Sequence, residues 1–392
     1  LSDAVIVAAV RTPIGRARKG SLVDARPDDL AAFAVDAALK QVPELDRADV
    51  VDVMIGCGFP QERQGMNLAR RVALLAGLPA SVPGTTVNRF CASSLQTIRM
   101  AFHAVRAGEG DVFVAGGVES ITQVDGYPKD PEELHPKLLG EAGTAGGALG
   151  DDAPIANVYI PMGLTAENVA ERWDVSREDM DAYAQRSQER AVAAQDSGFF
   201  EREITPWDGV AADDGPRRGS TVEKLAELEP AFKPGGKVTA GNSCPLNDGA
   251  AAVVVTSAEK AAELGLQPRA RIIASAVSGV EPEIMGVAPI GAVGKVLDRA
   301  GMTIDDVDVV ELNEAFAAQV LPVSRELEID PFGEQLNPHG GAIALGHPYG
   351  MTGARIMCTL LNDLETLDKT IGVETMCVGG GQGMAMIVER LR

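Results

Sequence analysis

Strand and helix signals alternate at both ends of this 392-residue chain, which makes it an α/β protein with buried parallel or mixed sheets covered by helices. Two further observations fit. Gly accounts for 43 residues and aromatics for only 4%, so the core is built of Ala, Val, Leu and Ile, with close backbone approach at the glycines. An internal repeat is also visible: VVDVMIG around Asp52 matches VDVVELN around Asp308 in outline, an offset of 256.

Along the chain, Val5–Ala9 is a short apolar strand and Asp28–Gln41 carries a helical pattern. Val51–Gly56 and Val112–Gly116 read as further strands. Between them a helix starts near Cys91, because Leu95, Ile98, Phe102 and Val105 recur at three and four residues and form one face. From about Glu119 to Asn247 the chain is rich in Gly, Pro, Asp and Lys. It holds one clear helical stretch, Thr165–Gln195, and reads as an excursion of loops and helices. Strand signals return at Arg271–Ser278, Val307–Glu311, Ile371–Val378 and Met384–Glu389. DVFVAGG before Glu119 parallels ETMCVGGG before Gln382, and adding 256 to Cys91 lands on His347. The repeat predicts two similarly folded halves facing each other, with Cys91 and His347 related by pseudo-symmetry near their interface.

The formal charge of −21 repels polyphosphate and anionic membrane surfaces, so nucleic acid is a poor partner. Five widely spaced cysteines (Cys57, Cys91, Cys244, Cys358, Cys377) with no CxxC argue against a disulfide framework or a zinc ribbon. They favour a reducing compartment and a reactive thiol. No run of 18 apolar residues predicts a membrane span. The first residues read as strand and turn rather than a signal peptide, and VERLR carries no lipidation tail, so a cytoplasmic protein is expected.

Four segments hold residues suited to chemistry. In Asn88-Arg-Phe-Cys91-Ala-Ser-Ser, a cysteine opening a helix gains thiolate stabilisation from the helix end, although a buried structural cysteine has the same local sequence. His339-Gly-Gly-Ala-Ile-Ala-Leu-Gly-His347 places two of four histidines among glycines, where a histidine can deprotonate a thiol or simply bond to backbone. Cys377-Val-Gly-Gly-Gly-Gln-Gly383 delivers a cysteine from a strand into glycines whose N–H groups can form an oxyanion pocket. A phosphate loop is the rival, but GxGxxG spacing is absent. Asn313-Glu-Ala-Phe316 follows a strand, where the amide can hold a water or cap a helix. His103 and His135 show no such setting.

Together, and in this order, NRFCASSL, NEAF, GGAIALGHP and CVGGGQG resemble the motifs of the thiolase family. VRTPIG, MGLTAENVA and TAGNSCPLNDGAA extend the resemblance over essentially the whole chain. The resemblance implies the thiolase α/β fold: two similar halves in five layers plus a loop domain. The halves would be 1–118 (completed by about 248–270) and 271–392, with 119–247 as a CoA-binding loop domain. It implies that Cys91 attacks the 3-keto carbon of a 3-ketoacyl-CoA and that His347 takes its proton. Cys377 would protonate the departing acetyl-CoA enolate. Asn313 would hold a water beside His347, and the N–H groups of Cys91 and Gly379 would form a second oxyanion pocket. No metal and no permanently bound cofactor is implied; coenzyme A is the co-substrate. Its contacts would be Arg217, Lys224, Ala240, Cys244, Met162, Phe232, Met285 and Phe316. Around them the basic residues Arg217, Arg218, Lys224, Lys233 and Lys237 stand out against the acidic whole.

Three positions depart from the family pattern: Cys244 where serine is frequent, Pro161 where biosynthetic members carry histidine, and Ala92-Ser-Ser after the nucleophile. These differences favour a 3-ketoacyl-CoA thiolase with a roomier pocket over a short-chain acetyl-CoA acetyltransferase. A ketoacyl-synthase-like condensing enzyme fits less well because of Cys377, and a non-catalytic carrier because all four catalytic positions are filled. A homodimer or homotetramer is expected, with a hydratase/dehydrogenase as a further partner.

Overall fold

Apolar runs organise the chain into ten strands and eleven α-helices among the described residues of a computed structural model, which describes residues 2–124, 134–135, 138 and 157–392. The strands are β1 (Ala4–Arg11), β2 (Gly15–Arg16), β3 (Asp52–Gly56), β4 (Gly84–Val87), β5 (Val112–Ser120), β6 (Asn247–Ser257), β7 (Ala270–Gly279), β8 (Val309–Leu312), β9 (Ile371–Val378) and β10 (Gln382–Arg390). The helices are α1 (Pro27–Lys40), α2 (Leu68–Leu75), α3 (Ser93–Ala107), α4 (Met162–Arg172), α5 (Arg177–Asp196), α6 (Val222–Ala226), α7 (Ala258–Glu263), α8 (Ala288–Ala300), α9 (Ala317–Glu326), α10 (Ala342–Leu345) and α11 (Thr352–Thr366).

The sheet order is β4-β3-β5-β6-β1-β7-β10-β9-β8, with β2 added beside β6. Pairs β3–β4, β3–β5 and β8–β9 are parallel and the others antiparallel. Read outwards from the centre, β1-β6-β5-β3 on one side mirrors β7-β10-β9-β8 on the other. The two sides meet only at Val5↔Arg271 and Ile6↔Ala270.

Side-chain alternation along the strands separates three apolar cores. In β1, Ala4 and Ile6 face a central core shared with α3 and α11, while Val5 and Val7 face α1 and α2. In β10, Met384, Met386 and Val388 face the same central core, while Ala385 and Ile387 face α8 and α9. The result is five layers: helices, sheet, the α3/α11 pair, sheet, helices. The central helices touch closely, because a Cβ at Gly353 would stand 2.3 Å from the Leu95 backbone nitrogen. Ser94 Oγ also accepts the Ala354 N–H at 2.9 Å.

Two sequence expectations need correction. The stretch Thr165–Gln195 is not one helix: it breaks between Arg172 and Arg177 into α4 and α5. Asp174 takes φ +49°, and Ser176 restarts the helix by accepting the Asp179 N–H at 3.0 Å. Strand β6, central to the first sheet, gave no separate strand signal. Within 119–247, residues 125–133, 136–137 and 139–156 lie outside the described residues. Among the described residues no helix is long and apolar enough to cross a membrane.

Candidate active site

Cys91 lies in a single helical turn, Phe90–Ala92, immediately before α3. Asn88 Oδ1 accepts the Phe90 N–H at 2.8 Å and Ser93 Oγ accepts the Arg89 N–H at 2.9 Å, which fixes the turn. Phe90 is held at φ +43°, a left-handed conformation that costs a non-glycine residue about 1–3 kcal/mol and marks a constrained position. Burial pushes the Cys91 thiol up to about 12, and the backbone N–H groups of Gly379 and of Cys91 itself partly offset this. These are the two N–H groups that the sequence put forward as an oxyanion pocket.

His347 is 1% exposed and sits on the loop between α10 and α11. Its backbone N–H donates to Asn247 Oδ1 at 3.0 Å. Its Nδ1 lies 2.7 Å from Thr352 Oγ1, and Thr352 donates its own hydroxyl proton to Pro348 O at 2.9 Å. Nδ1 therefore carries the ring proton. Nε2 is left as the acceptor and receives Asn313 Nδ2–H at 3.3 Å. Burial, helped by the charge of Arg355 on α11, depresses His347 to about 3, so the ring is a neutral base at physiological pH.

Asn313 follows β8, with its N–H bound to Thr375 O at 3.0 Å. It does not cap the next helix: α9 starts at Ala317 with Phe316 in the cap position. Its Oδ1 is buried with no partner among the described residues, an acceptor ready for a water or a ligand. Cys377, near the end of β9, is fully buried, with its Sγ 3.8 Å from Gln319 Oε1 on α9. Burial first, then the neighbouring Cys91 and Cys244, push its thiol well up. Cys244 is likewise raised by burial and then by Cys91, so the three sulfurs lie within electrostatic reach of one another.

A cleft of about 230 Å³ opens at Cys91 and Gly379, walled by Phe59, Phe90, Val158, Ile160, Pro161, Met162 and Tyr349. A second, narrow cleft is lined by Arg16, Gln188, Arg217, Ser220 and Ala240. It adjoins a wider one of about 280 Å³ that shares Arg217 and includes Arg218. Of the basic residues singled out in sequence, Arg218 is bound to Asp196 and Lys224 Nζ to Gly219 O at 2.6 Å. Lys233 pairs with Glu171 at 3.7 Å and Lys237 binds Val175 O at 2.8 Å. Only the Arg217 guanidinium has no partner among the described residues. Cys244 is tied by its N–H to Ala315 O at 3.0 Å, next to the NEAF loop. Phe232 is 41% exposed, packs edge-on against Phe316 at 6.0 Å, and covers Gly163 at the start of α4. Met285 is 1% exposed, lies in the outer core beside α4 and α9, and lines neither cleft.

Residues 4–259 match the family model for the thiolase N-terminal domain and residues 266–390 that for the thiolase C-terminal domain. The chain belongs to the thiolase family. It is 44% identical over 402 residues to the beta-ketoadipyl-CoA thiolase of Acinetobacter baylyi, covering all of both chains. It is 43% identical over 406 residues to the 3-ketoacyl-CoA thiolase of Bacillus subtilis, covering 99% of this chain and 100% of the relative. In structure it resembles the crystal structure of the Bacillus anthracis acetyl-CoA acetyltransferase, with a TM-score of 0.88 and 39% identity over 100% of this chain and 99% of that one. Family membership makes it an acyltransferase by class.

Several residues that hold this thiolase site together were not singled out in sequence. Glu119, next to last in β5, is fully buried and takes N–H donors from Gly58 (2.7 Å), Phe59 (3.2 Å), Gly350 (2.9 Å) and Gln64 Nε2 (2.7 Å). It thereby ties the Phe59 and Tyr349 walls together. Glu314, of the NEAF motif, accepts from Tyr183 Oη (2.9 Å), Ser187 Oγ (2.5 Å), Asn337 Nδ2 (2.9 Å) and the Ile343 N–H (3.1 Å). That anchors the loop leading to His347. Gly346, at φ +111°, lies against Asn247, where a Cβ would approach the carboxamide to 2.5 Å. A glutamate at a strand end reads in sequence as a solvated charge; only the surrounding loops reveal it as a hub.

Proposed function

We propose that this chain is a 3-ketoacyl-CoA thiolase, cleaving a 3-ketoacyl-CoA with CoA to acetyl-CoA and a shortened acyl-CoA through a covalent Cys91 intermediate. The observation that carries the reading is that Tyr349 joins Cys91 to a neutral His347: it lines the cleft at Cys91 and meets the His347 ring edge-on at 4.9 Å, while His347 Nε2 faces the Asn313 amide at 3.3 Å. Burial keeps both partners uncharged, so proton transfer to Nε2 accompanies attack, as negative charge moves from sulfur to the carbonyl oxygen. Cys91 Sγ bonds to C3 and its proton goes to His347. The oxyanion lies on the Cys91 and Gly379 N–H groups. The C2–C3 bond then breaks. The enolate oxygen lies against His347 and a water on Asn313 Oδ1, and the Cys377 thiol gives its proton to C2. Free CoA returns a proton to Cys377 and attacks the acyl thioester, and His347 returns the proton to Cys91.

Coenzyme A is a co-substrate in this reading, with no permanently bound cofactor. Arg217 and Arg16, whose Nε is buried without a partner, supply the cationic side of the second cleft, and Ala240 gives the chain room beside them. Cys377 with its Gln319 contact supports a two-thiol thiolase over a single-cysteine condensing enzyme. The enzyme acts in the cytoplasm as a homodimer or homotetramer. Fatty acid β-oxidation suits it, with a hydratase/dehydrogenase supplying the 3-ketoacyl-CoA. A short-chain acetyl-CoA acetyltransferase is the second reading, favoured by the name of the structural relative; the cleft at Cys91 favours the first. The test is CoA-dependent cleavage of 3-ketohexanoyl-CoA by wild type and Cys91→Ala. Parallel double-reciprocal lines and a null Cys91→Ala are expected; turnover by Cys91→Ala would overturn the covalent mechanism.

A further inference from the structure

Resting on the acyl-transfer reading above, we infer that the cleft at Cys91 selects an uncharged acyl chain and rejects one that ends in a carboxylate. Its walls are mostly apolar, formed by Phe59, Phe90, Val158, Ile160 and Met162 with the rings of Tyr159 and Tyr349. The cleft, of about 230 Å³, leaves room for the short chain of a six-carbon substrate.

No Lys or Arg among the described residues lines this cleft. Arg89, next to Phe90, is committed to Gln96 Oε1 and Gln382 Oε1, each at 3.0 Å. The fixed charge directly behind the wall is negative. Glu119 is held by Gly58 and Phe59 on one side and Gly350 on the other, the backbone that carries Phe59 and Tyr349. Four N–H donors on its two oxygens match the ionised carboxylate. An ω-carboxylate entering the cleft would lose its water, find no cation among the described residues, and meet that anion. A chain ending in a methyl group meets mainly apolar side chains.

The decisive pair is 3-ketohexanoyl-CoA and 3-ketoadipyl-CoA, which share a six-carbon backbone and differ in the terminal carboxylate. Acetoacetyl-CoA is the control. We expect kcat/KM for the hexanoyl substrate to exceed that for the adipyl substrate by roughly 10²–10⁴-fold, the scale set by leaving a polar group unpaired. Ile160→Arg, which supplies a cation at the wall, is expected to narrow that ratio at least tenfold. Equal or better use of 3-ketoadipyl-CoA, with acetoacetyl-CoA still cleaved, overturns the inference and leaves the thiolase reading intact. Cleavage of acetoacetyl-CoA alone overturns it as well, since the cleft then takes no six-carbon chain. If none of the three is cleaved, the acyl-transfer reading falls and takes this inference with it.

Discussion

Replacing Thr352 by Val removes one hydroxyl from a fully buried position and keeps the side-chain shape. That hydroxyl is the acceptor for His347 Nδ1–H at 2.7 Å, and its own proton is spent on Pro348 O. Without it, Nδ1–H is buried unpaired, a cost of about 1–3 kcal/mol. The ring avoids that cost by moving its proton to Nε2, the atom that must accept the Cys91 proton. Either way the active tautomer is disfavoured by about that amount, which lowers kcat roughly 5- to 150-fold. KM should barely move, because Thr352 reaches the reaction only through His347. The assay is steady-state cleavage of 3-ketohexanoyl-CoA, with thermal unfolding run alongside to confirm that the variant is folded. Thr352→Ser keeps the oxygen and should recover most of the activity. A folded Thr352→Val within twofold of wild type in kcat would refute the tautomer assignment.

Gly346→Ala puts a Cβ at φ +111° and 2.5 Å from the Asn247 carboxamide, so it should cost more than ~2 kcal/mol of stability and most of the activity; urea midpoints and turnover check this. Arg217→Ala should raise KM for CoA several-fold with kcat nearly unchanged, the signature of lost uniform binding, and steady-state kinetics with varied CoA decide it. His339, stacked on Phe199 and with Nδ1 2.5 Å from Asp363, whose carboxyl burial pushes well up, is held neutral by burial down to about 4 and makes folding pH-sensitive. Between its unfolded value of 6.5 and about 4 the unfolded chain takes up a proton that the folded chain refuses, so this group's contribution falls as pH drops. His339→Gln should therefore lose less stability than wild type between pH 7 and pH 4.5 in urea titrations.

Much of the architecture was legible because apolar periodicity maps directly onto strands and helix faces. Val5–Ala9, Val112–Gly116 and Ile371–Val378 each fall on a strand, and Leu95, Ile98, Phe102 and Val105 form the buried face of α3. Strand β6 escaped because its eleven residues are buried on both faces and Ala-rich, so no alternation marks them. The break between α4 and α5 escaped because amphipathic spacing continues across it; the cap at Ser176 was the available signal. At the site, the reacting types were legible from motif order. The Thr352 contact that sets the His347 tautomer was not, nor were the buried hubs Glu119 and Glu314. Their roles depend on which loops meet in space, and the partners of Glu119 range from Gly58 to Gly350.

The pairing of β1 has a consequence for how the chain is made. Both neighbours of β1, β6 and β7, lie beyond residue 246, and β5 also waits for β6 on its free side. At ~5–20 residues per second, the interval between finishing β5 and finishing β6 lasts about 7 to 27 seconds. For that time the ribosome carries two apolar strands with open hydrogen-bonding edges, the state most prone to pairing with another nascent chain. The long excursion after β5 is thus also a delay, and chaperone supply and translation speed should govern yield more than final stability does. A fragment ending before Asn247 gives, in place of a half enzyme, two sticky strands in search of a third.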